Sequence, residues 1–508
     1  MKLDYKAAFA ITFVIIVSFY YIYDIFFSTS NIENADVIII GSGLAGLSSA
    51  VELYKQSLGR LNILILESQP SVGGNSLKAT SGINLLSTPI QLNNSINDSY
   101  SLFYNDTIAS GHNQSDASLV SALITNSKDL YSFYSSLDIH LNTISTLGGH
   151  SVARTHRPHK GTIGACLTIG MYNLLLHSGN DVVMFKMNTS VNDLIYKDKK
   201  NKVKGVYAVI NGKYKKKIKS KAVILATGGY AYDQGKDSLL KEYAEHLAKF
   251  PTTNGKYSKG EGIKIARKIG ADVVHMQNIQ VHPTGFVDLN NRYDRNKLLA
   301  PELLRGVGGI LVNQQGRRFC NELGTRDYVT KQIIEHCDKV NDEDSGGSID
   351  QYETFIVLNK QMVSEFGSSI DFYISKGLIR LYENFHSFAK EFKLDEGNLQ
   401  KTVEMYKESI RTGKDEFGKV KFGKEFNYED EIYVGIVTPS IHYTMGGVKI
   451  NENAEVLDKK GRVIKGLFAA GEVTGGVHGG NRLGGNSLLE CAVFGKIAGK
   501  SVYDYLMK

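Results

Sequence analysis

Residues 36–46 read D-V-I-I-I-G-S-G-L-A-G. The apolar run that follows Asp36 is short and β-branched, as a buried strand requires, and it passes straight into glycine-rich sequence. Over 44–58, Leu44, Leu47, Val51, Leu53 and Leu58 recur at helical spacing, and 62–66 is a second apolar strand ending at Glu67. The spacing predicts a β-α-β unit whose turn is Gly41-Ser42-Gly43-Leu44-Ala45-Gly46. In such a turn the first glycine permits the tight bend, the second lets backbone approach a pyrophosphate, and the third lets helix pack on strand. The pyrophosphate then meets the helix N-terminus, where free N–H groups and the helix dipole favour negative charge. Glu67, at the end of the second strand, is placed to accept hydrogen bonds from a ribose diol.

The choice of dinucleotide follows from the rest of the chain. It has 508 residues, 51 of them Gly and only 7 Pro, so the glycines are not linker; they fall in clusters. Gly73-Gly74-Asn75-Ser76, Ala226-Thr227-Gly228-Gly229, Gly471-Glu472 and Gly484-Gly485-Asn486-Ser487-Leu488 are spread over more than 400 residues. An extended FAD touched by bare backbone at several strand ends explains that spread better than NAD on one unit. No second Rossmann fingerprint is present. The four Cys (Cys166, Cys320, Cys337, Cys491) form no C-x-x-C pair, which excludes a disulfide reductase, a c-type haem and a structural zinc site; no metal is expected. The net charge of +7 is mild for this length and gives no reason to expect a nucleic-acid partner.

Beyond the first unit, 93–135 reads as mostly helical. Residues 203–210 and 214–218, joined by Asn211-Gly212, carry a hairpin signal. The run Lys213, Lys215, Lys216, Lys217, Lys219 is read as the solvated face of that hairpin rather than a membrane or phosphate patch. Residues 222–226 read as a further strand. An acidic loop lies at 341–350, and a final helix begins near Asn486. The fold class expected is α/β: a Rossmann-like FAD-binding domain interrupted by an α+β capping domain. The boundaries are 35–245 and 438–508 for the two parts of the FAD-binding domain and 246–437 for the cap.

Residues 1–34 stand apart as a membrane anchor or signal with its tether. Residues 7–27 are apolar apart from Asp24 and would form a helix of ~31 Å at ~1.5 Å per residue, the thickness of a bilayer core. Lys2 and Lys6 precede the span and no basic residue follows until Lys55, a bias that places the catalytic body in a lumen, endoplasmic reticulum or mitochondrial intermembrane space. Five sequons, at Asn93, Asn97, Asn105, Asn113 and Asn188, agree with a luminal body.

Several motifs carry a family resemblance. They are GSGLAGL (41–47), VGGNSLKATSGIN (72–84), LGGHSVARTHR (147–157), ATGGY (226–230), VHPTGF (281–286), PELLRG (301–306), RRFCNELGTRD (317–327), HYTMGGV (442–448) and AAGEVTGGVHGGNRLGGNSLLE (469–490). From about Asp36 to the C-terminus the chain resembles the soluble, yeast-type fumarate reductases. These lie within the flavoprotein family of the succinate dehydrogenase and fumarate reductase flavoprotein subunits and L-aspartate oxidase. Complex-bound members tether FAD through a histidine in the segment corresponding to 75–82. Here that segment is N-S-L-K-A-T-S-G, with no His, which implies one non-covalently bound FAD per chain and no iron–sulfur partner subunit. No haem motif or second flavin domain is present, so electrons are expected from an external donor, a reduced flavin or a redox protein.

By the same resemblance FAD is held by Gly41, Ser42, Gly43, Ala45, Gly46, Glu67, Asn75, Ser76, Thr80, Ser81, Ala226, Thr227, Gly228, Glu472, Ser487 and Leu488. Reduction of fumarate to succinate needs cations to grip two carboxylates, a hydride from flavin N5 and a proton donor. The resemblance assigns the grip to His282, His442 and Arg482 with Ser81, and the proton to Arg326, resupplied through Glu302 and Arg305. Glu302 and Arg305 are three apart, one face of a helix. Pro301 stands where relatives often have a small hydroxyl residue, which keeps urocanate and methacrylate open as substrates. A succinate or aspartate oxidase on the same fold, and a flavin-binding electron relay, are the other readings; a relay has no need of two carboxylate grips. Arg154, His156 and Arg157 are read as structural or near the cofactor, and Cys320 and Cys491 as buried small residues rather than redox thiols.

Overall fold

The computed structural model describes residues 34–179, 182–340, 349–367 and 369–508. The apolar span 7–27 and most of the acidic loop 341–350 lie outside the described residues. Among the described residues no helix is long and apolar enough to cross a membrane.

Strand β1 (Asn34–Ile40) leads into α1 (Leu44–Ser57) and β2 (Ile63–Leu66), and β3 (Val183–Lys186) follows at the edge beyond β2. Then come β4 (Thr189–Lys197), β5 (Lys202–Ile210) and β6 (Tyr214–Leu225). The cap contributes β7 (Ile279–Phe286), α2 (Arg326–His336), β8 (Thr354–Asn359) and β9 (Ile432–Thr444), and the chain returns through β10 (Val463–Ala469) to α3 (Asn486–Met507). In the large sheet β1 lies between β2 and β6, parallel to both, with Val37 level with Ile63 and Ala222. Val37, Ile38, Ile39 and Ile40 are all buried, because the sheet is covered on both faces. The long α3 packs along α1 and closes the domain.

The expected hairpin is present: β5 and β6 pair antiparallel around the three-residue loop 211–213, in which Asn211 and Gly212 are both at positive φ. The separate strand expected at 222–226 is a correction. β6 is one strand of 12 residues. Its first half pairs with β5 and presents alternate lysines to solvent, while its second half is buried between β1 and β10, so one strand shows two patterns.

The hydrophobic residues divide into two cores. One gathers residues of 37–276 and 441–502, the other residues of 286–437. Phe250, Ile263, Ile265, Ala266, Ala271 and Met276 belong to the first, so the change of core falls beyond the boundary expected at 246. The second core lies around an antiparallel sheet in which β9 runs between β7 and β8. β7 and β9 each cross between the cores: Val437 packs in the cap and Ile441 in the FAD-binding domain. The residues on these two strands therefore stand at the junction of the domains.

Candidate active site

A cleft runs along that junction. One end, about 240 Å³, is lined by Gly41, Gly43, Ala45, Glu67, Asn75, Ser76, Ala226, Thr227, Gly228 and Glu472 among others. The other end, about 550 Å³, is lined by Thr80, Ser81, Arg326, His442, Arg482, Ser487 and Leu488. Asn75, Ser76, Glu472 and Cys491 line both, so the two ends are continuous.

The narrower end fits the ADP portion of a dinucleotide. Gly41 has φ +103°, and a Cβ there would strike the Ala226 carbonyl, so only glycine makes this turn. α1 has Gly43 at its N-cap, with no capping side chain of its own; the Leu44 N–H donates to Ser76 Oγ at 3.2 Å, and the N-terminus opens onto the cleft. Thr227 Oγ1 is buried without a protein partner. Glu67 is held in place by Ser42, whose N–H and hydroxyl donate to Oε2 at 2.9 and 2.7 Å, and by the N–H of Gln69 on Oε1 at 2.9 Å. Two expected contact residues work one step away from the cleft. Ser42 is buried against Glu67, and Gly46 packs on the Gly41 carbonyl; neither lines the cleft.

At the wider end the expected cations converge. Arg326 is the first residue of α2, and its Nε and Nη2 lie 2.9 and 2.8 Å from Glu302 Oε2. Its Nη1 donates to Gln280 Oε1 at 2.6 Å. Arg482 Nη2 donates to the same oxygen at 3.1 Å. Gln280 is itself oriented by donating from Nε2 to Asn481 Oδ1 and the Arg482 carbonyl, each at 2.8 Å. Glu302 Oε1 accepts the Gly148 N–H at 2.7 Å. Burial alone would raise the Glu302 pKa, but Arg326 and Arg305 beside it hold it at about 2.

Two irregularities place the histidines. Gln280 is level with Tyr443 and Val281 with Ile441, so His442 is the extra residue of a β-bulge in β9. A second shift, on the β7 side, follows His282. Bulges of this kind re-aim side chains beside active sites. The two rings stand 5.2 Å apart. His442 lines the cleft with Nδ1 2.7 Å from Thr253 Oγ1. His282 is fully buried next to it and is not part of the cleft lining. Its Nδ1 lies 3.1 Å from both the N–H and the carbonyl oxygen of Thr284, and Nε2 has no protein partner. Burial, with Arg326 close by, holds the pKa of both rings well below the usual value, so both are neutral donors.

Arg305 departs from expectation. Glu302 caps a helix of only four residues (Leu303–Gly306), and no ion pair joins the two side chains. Arg305 Nη1 instead donates to the Glu322 carbonyl at 2.5 Å, while Nε and Nη2 are buried without partners. Glu322 is paired with Arg318 and Lys419. The cluster around Arg154 is structural: Arg154 is fully buried between Asp98 and Asp106. Gln280, Gly148, Thr253 and Thr284 were not anticipated. Gln280 lies one residue before VHPTGF and Gly148 inside LGGHSVARTHR, which is the signal that could have drawn attention to them.

A cleft shaped for an extended dinucleotide at one end, with a cluster of buried cations at the other, defines a flavoprotein oxidoreductase acting on a small anion. A family model described as FAD binding domain matches residues 36–488. A fumarate reductase of Schizosaccharomyces pombe is 38% identical over 492 residues, 95% of this chain and 92% of that protein. Fumarate reductase 1 of Saccharomyces cerevisiae is 39% identical over 479 residues, 92% of this chain and 98% of that protein. Among solved structures, the open conformation of a flavocytochrome c3 fumarate reductase is similar with a TM-score of 0.74 at 30% identity, covering 95% of this chain and 80% of that one. The chain belongs to the FAD-binding flavoprotein family that contains these yeast fumarate reductases, and its cofactor is FAD.

Proposed function

We propose that this protein reduces fumarate to succinate. The observation that carries the reading is a charge excess. Arg305, Arg326 and Arg482 are buried around the wide end of the cleft, Glu302 is the carboxylate ion-paired among them, Glu472 is a second carboxyl group in the lining with its pKa raised by burial to about 7, and the two histidines are neutral. Three guanidinium groups against Glu302 and a partly protonated Glu472 leave an excess of positive charge, the complement of a dicarboxylate dianion. Buried unpaired charge is costly, so such a site is built to be filled.

Bound FAD supplies the hydride. Arg482 and His442 hold one carboxylate from the cleft wall, and His282, just behind the lining with its Nε2 unpartnered, is assigned to the other, while the buried surroundings exclude water and strengthen each contact. Arg326 has one N–H left on each terminal nitrogen and gives a proton to the carbon that becomes carbanionic. Arginine is a very weak acid, and the hand-off is transient: the proton given stays in the new C–H bond, and Glu302 stabilises the guanidinium and relays a replacement proton from solvent to Arg326. Arg305 acts on Glu302 through its field.

We further propose that FAD is held without a covalent bond, that the electron donor is a separate reduced flavin or redox protein, and that residues 7–27 anchor the catalytic body in a lumen. All five sequon asparagines are exposed, as glycosylation there would need. Anaerobic reoxidation of the reduced holoprotein by fumarate, with urocanate and oxygen as competitors, tests the activity.

A further inference from the structure

Residues 197–221 contain eleven lysines and one aspartate, a net charge of +10 in a chain whose total is +7, so everything else sums to −3. The structure shows where that charge stands. Alternation along β6 leaves Lys215, Lys217, Lys219 and Lys221 exposed on one side. Opposite Lys217 on β5 is Tyr207, 44% exposed, with the Lys217 ammonium 5.8 Å from its ring centroid. Lys213 is exposed at the hairpin tip, and Lys197, Lys199 and Lys200 at the turn between β4 and β5. Among the described residues, Lys221 has an ion pair, with Asp36 at 2.8 Å; Lys213, Lys215, Lys217 and Lys219 have none. Asp193, level with Tyr207 on β4, and Asp198 are the other acids nearby.

The second observation is the sheet register. Lys219 pairs with Asn34, the first described residue, so the chain leaves the sheet toward its N-terminus beside the lysine face. Only residues 28–33 separate Phe27 from Asn34, and six extended residues reach at most ~20 Å. The apolar segment 7–27 is therefore confined to the neighbourhood of this face.

We infer that the β5–β6 lysine face docks on a bilayer carrying anionic headgroups and fixes the orientation of the catalytic body on it. The inference rests on the reading of 7–27 as a membrane segment, which supplies the partner: a face tethered within ~20 Å of a bilayer meets lipid headgroups before any other polyanion. The chemistry fits, because lysines attract anionic lipid from their long stems, and tyrosine is at home at the headgroup level.

The test uses the full FAD-loaded chain reconstituted with phosphatidylcholine vesicles, with and without phosphatidylserine. Lysines are labelled with a membrane-impermeant amine reagent and read by mass spectrometry, and alkaline carbonate extraction reports separately whether 7–27 is inserted. With phosphatidylserine, Lys213, Lys215, Lys217 and Lys219 should label at least about fivefold more slowly, a factor expected per lysine at such a surface, and high salt should remove the protection. Lys376 and Lys401, exposed on the cap, should label equally in both. In the variant K215Q/K217Q/K219Q, Lys213 should lose its protection while carbonate resistance persists. Carbonate-extractable protein that is still protected would support the docking face and overturn the anchor. Inserted protein that labels equally in both vesicles, or that is equally protected in neutral vesicles through contact between copies, would overturn the docking face.

Discussion

Arg326 and Arg482 donate to one and the same oxygen, Oε1 of Gln280, at 2.6 and 3.1 Å. Two like charges are thereby held side by side in a buried site. Burial, and then Arg326, push the Arg482 pKa down to about 10. Gln280 cannot turn its amide without breaking its bonds to Asn481 and the Arg482 carbonyl. The arrangement is preorganised for an anion that is still to arrive.

Gln280→Glu keeps the shape and adds a carboxylate. It should pair with both arginines and cut the positive excess by one charge. The KM for fumarate should rise by roughly 10–100-fold, the range of a hydrogen bond to a charged group, with FAD content unchanged. Steady-state kinetics with a saturating artificial electron donor reads this out, and an unchanged KM would remove the charge argument.

Arg326 and Arg482 should separate kinetically. Arg326→Lys, which keeps the charge, should lower kcat by roughly 10²–10⁴-fold with little change in KM, because a proton donor acts in the transition state, whereas Arg326→Ala should lower kcat as much and also raise KM through the lost charge. Lys keeps the charge but loses the planar fork that contacts Glu302 and Gln280 together. Arg482→Ala should raise KM strongly as well as lowering the rate. If Arg326→Ala keeps near-normal kcat and only weakens binding, Arg326 is a grip and His282 becomes the next proton donor to test.

Glu472 gives a pH prediction. Burial raises its pKa from 4.5 to about 7, against the hydrogen bonds it accepts from Thr444. A carboxyl group raised on folding costs nothing below pH 4.5, destabilises increasingly between 4.5 and about 7, and reaches a constant cost above that. Glu472→Gln should therefore leave apoprotein stability unchanged at about pH 4 and raise it by roughly 3 kcal/mol at about pH 8. Urea unfolding of the two apoproteins at both pH values measures it. A gain of the same size at both would assign the effect to packing.

Residues 75–82 line the cleft and contain no histidine. Acid denaturation of the holoprotein should release all flavin into the supernatant. Flavin that stays with the precipitate would contradict non-covalent binding.

The β-α-β unit at 36–67 and the Asn-Gly hairpin were legible because each is decided by local sequence: a glycine turn, an apolar period and a short Asn-Gly loop. The cations were legible because each falls inside a motif that carries the family resemblance. Gln280 was not, since a neutral amide in a strand carries no such mark. Its meaning depends on the pairing of β7 with β9, whose residues 280 and 443 are far apart in the chain. His442 was named from its motif, but the bulge that brings it to the cleft is not revealed by alternation alone. The single strand β6 was read as two because its neighbours change midway, from a hairpin partner to the buried sheet. The spacing of Glu302 and Arg305 suggested a shared helix face, but a four-residue helix is too short to hold them in contact.

The central claim is that this cleft passes reducing equivalents to fumarate. The direct measurement is anaerobic stopped-flow mixing of the fully reduced, purified holoprotein with fumarate, following the return of oxidised-flavin absorbance and the succinate formed. Rapid reoxidation with one succinate per flavin, much faster than with urocanate and slowed strongly in Arg326→Ala, is the predicted result. Reduced flavin that persists in fumarate but is reoxidised at once by another unsaturated acid or by oxygen would contradict it.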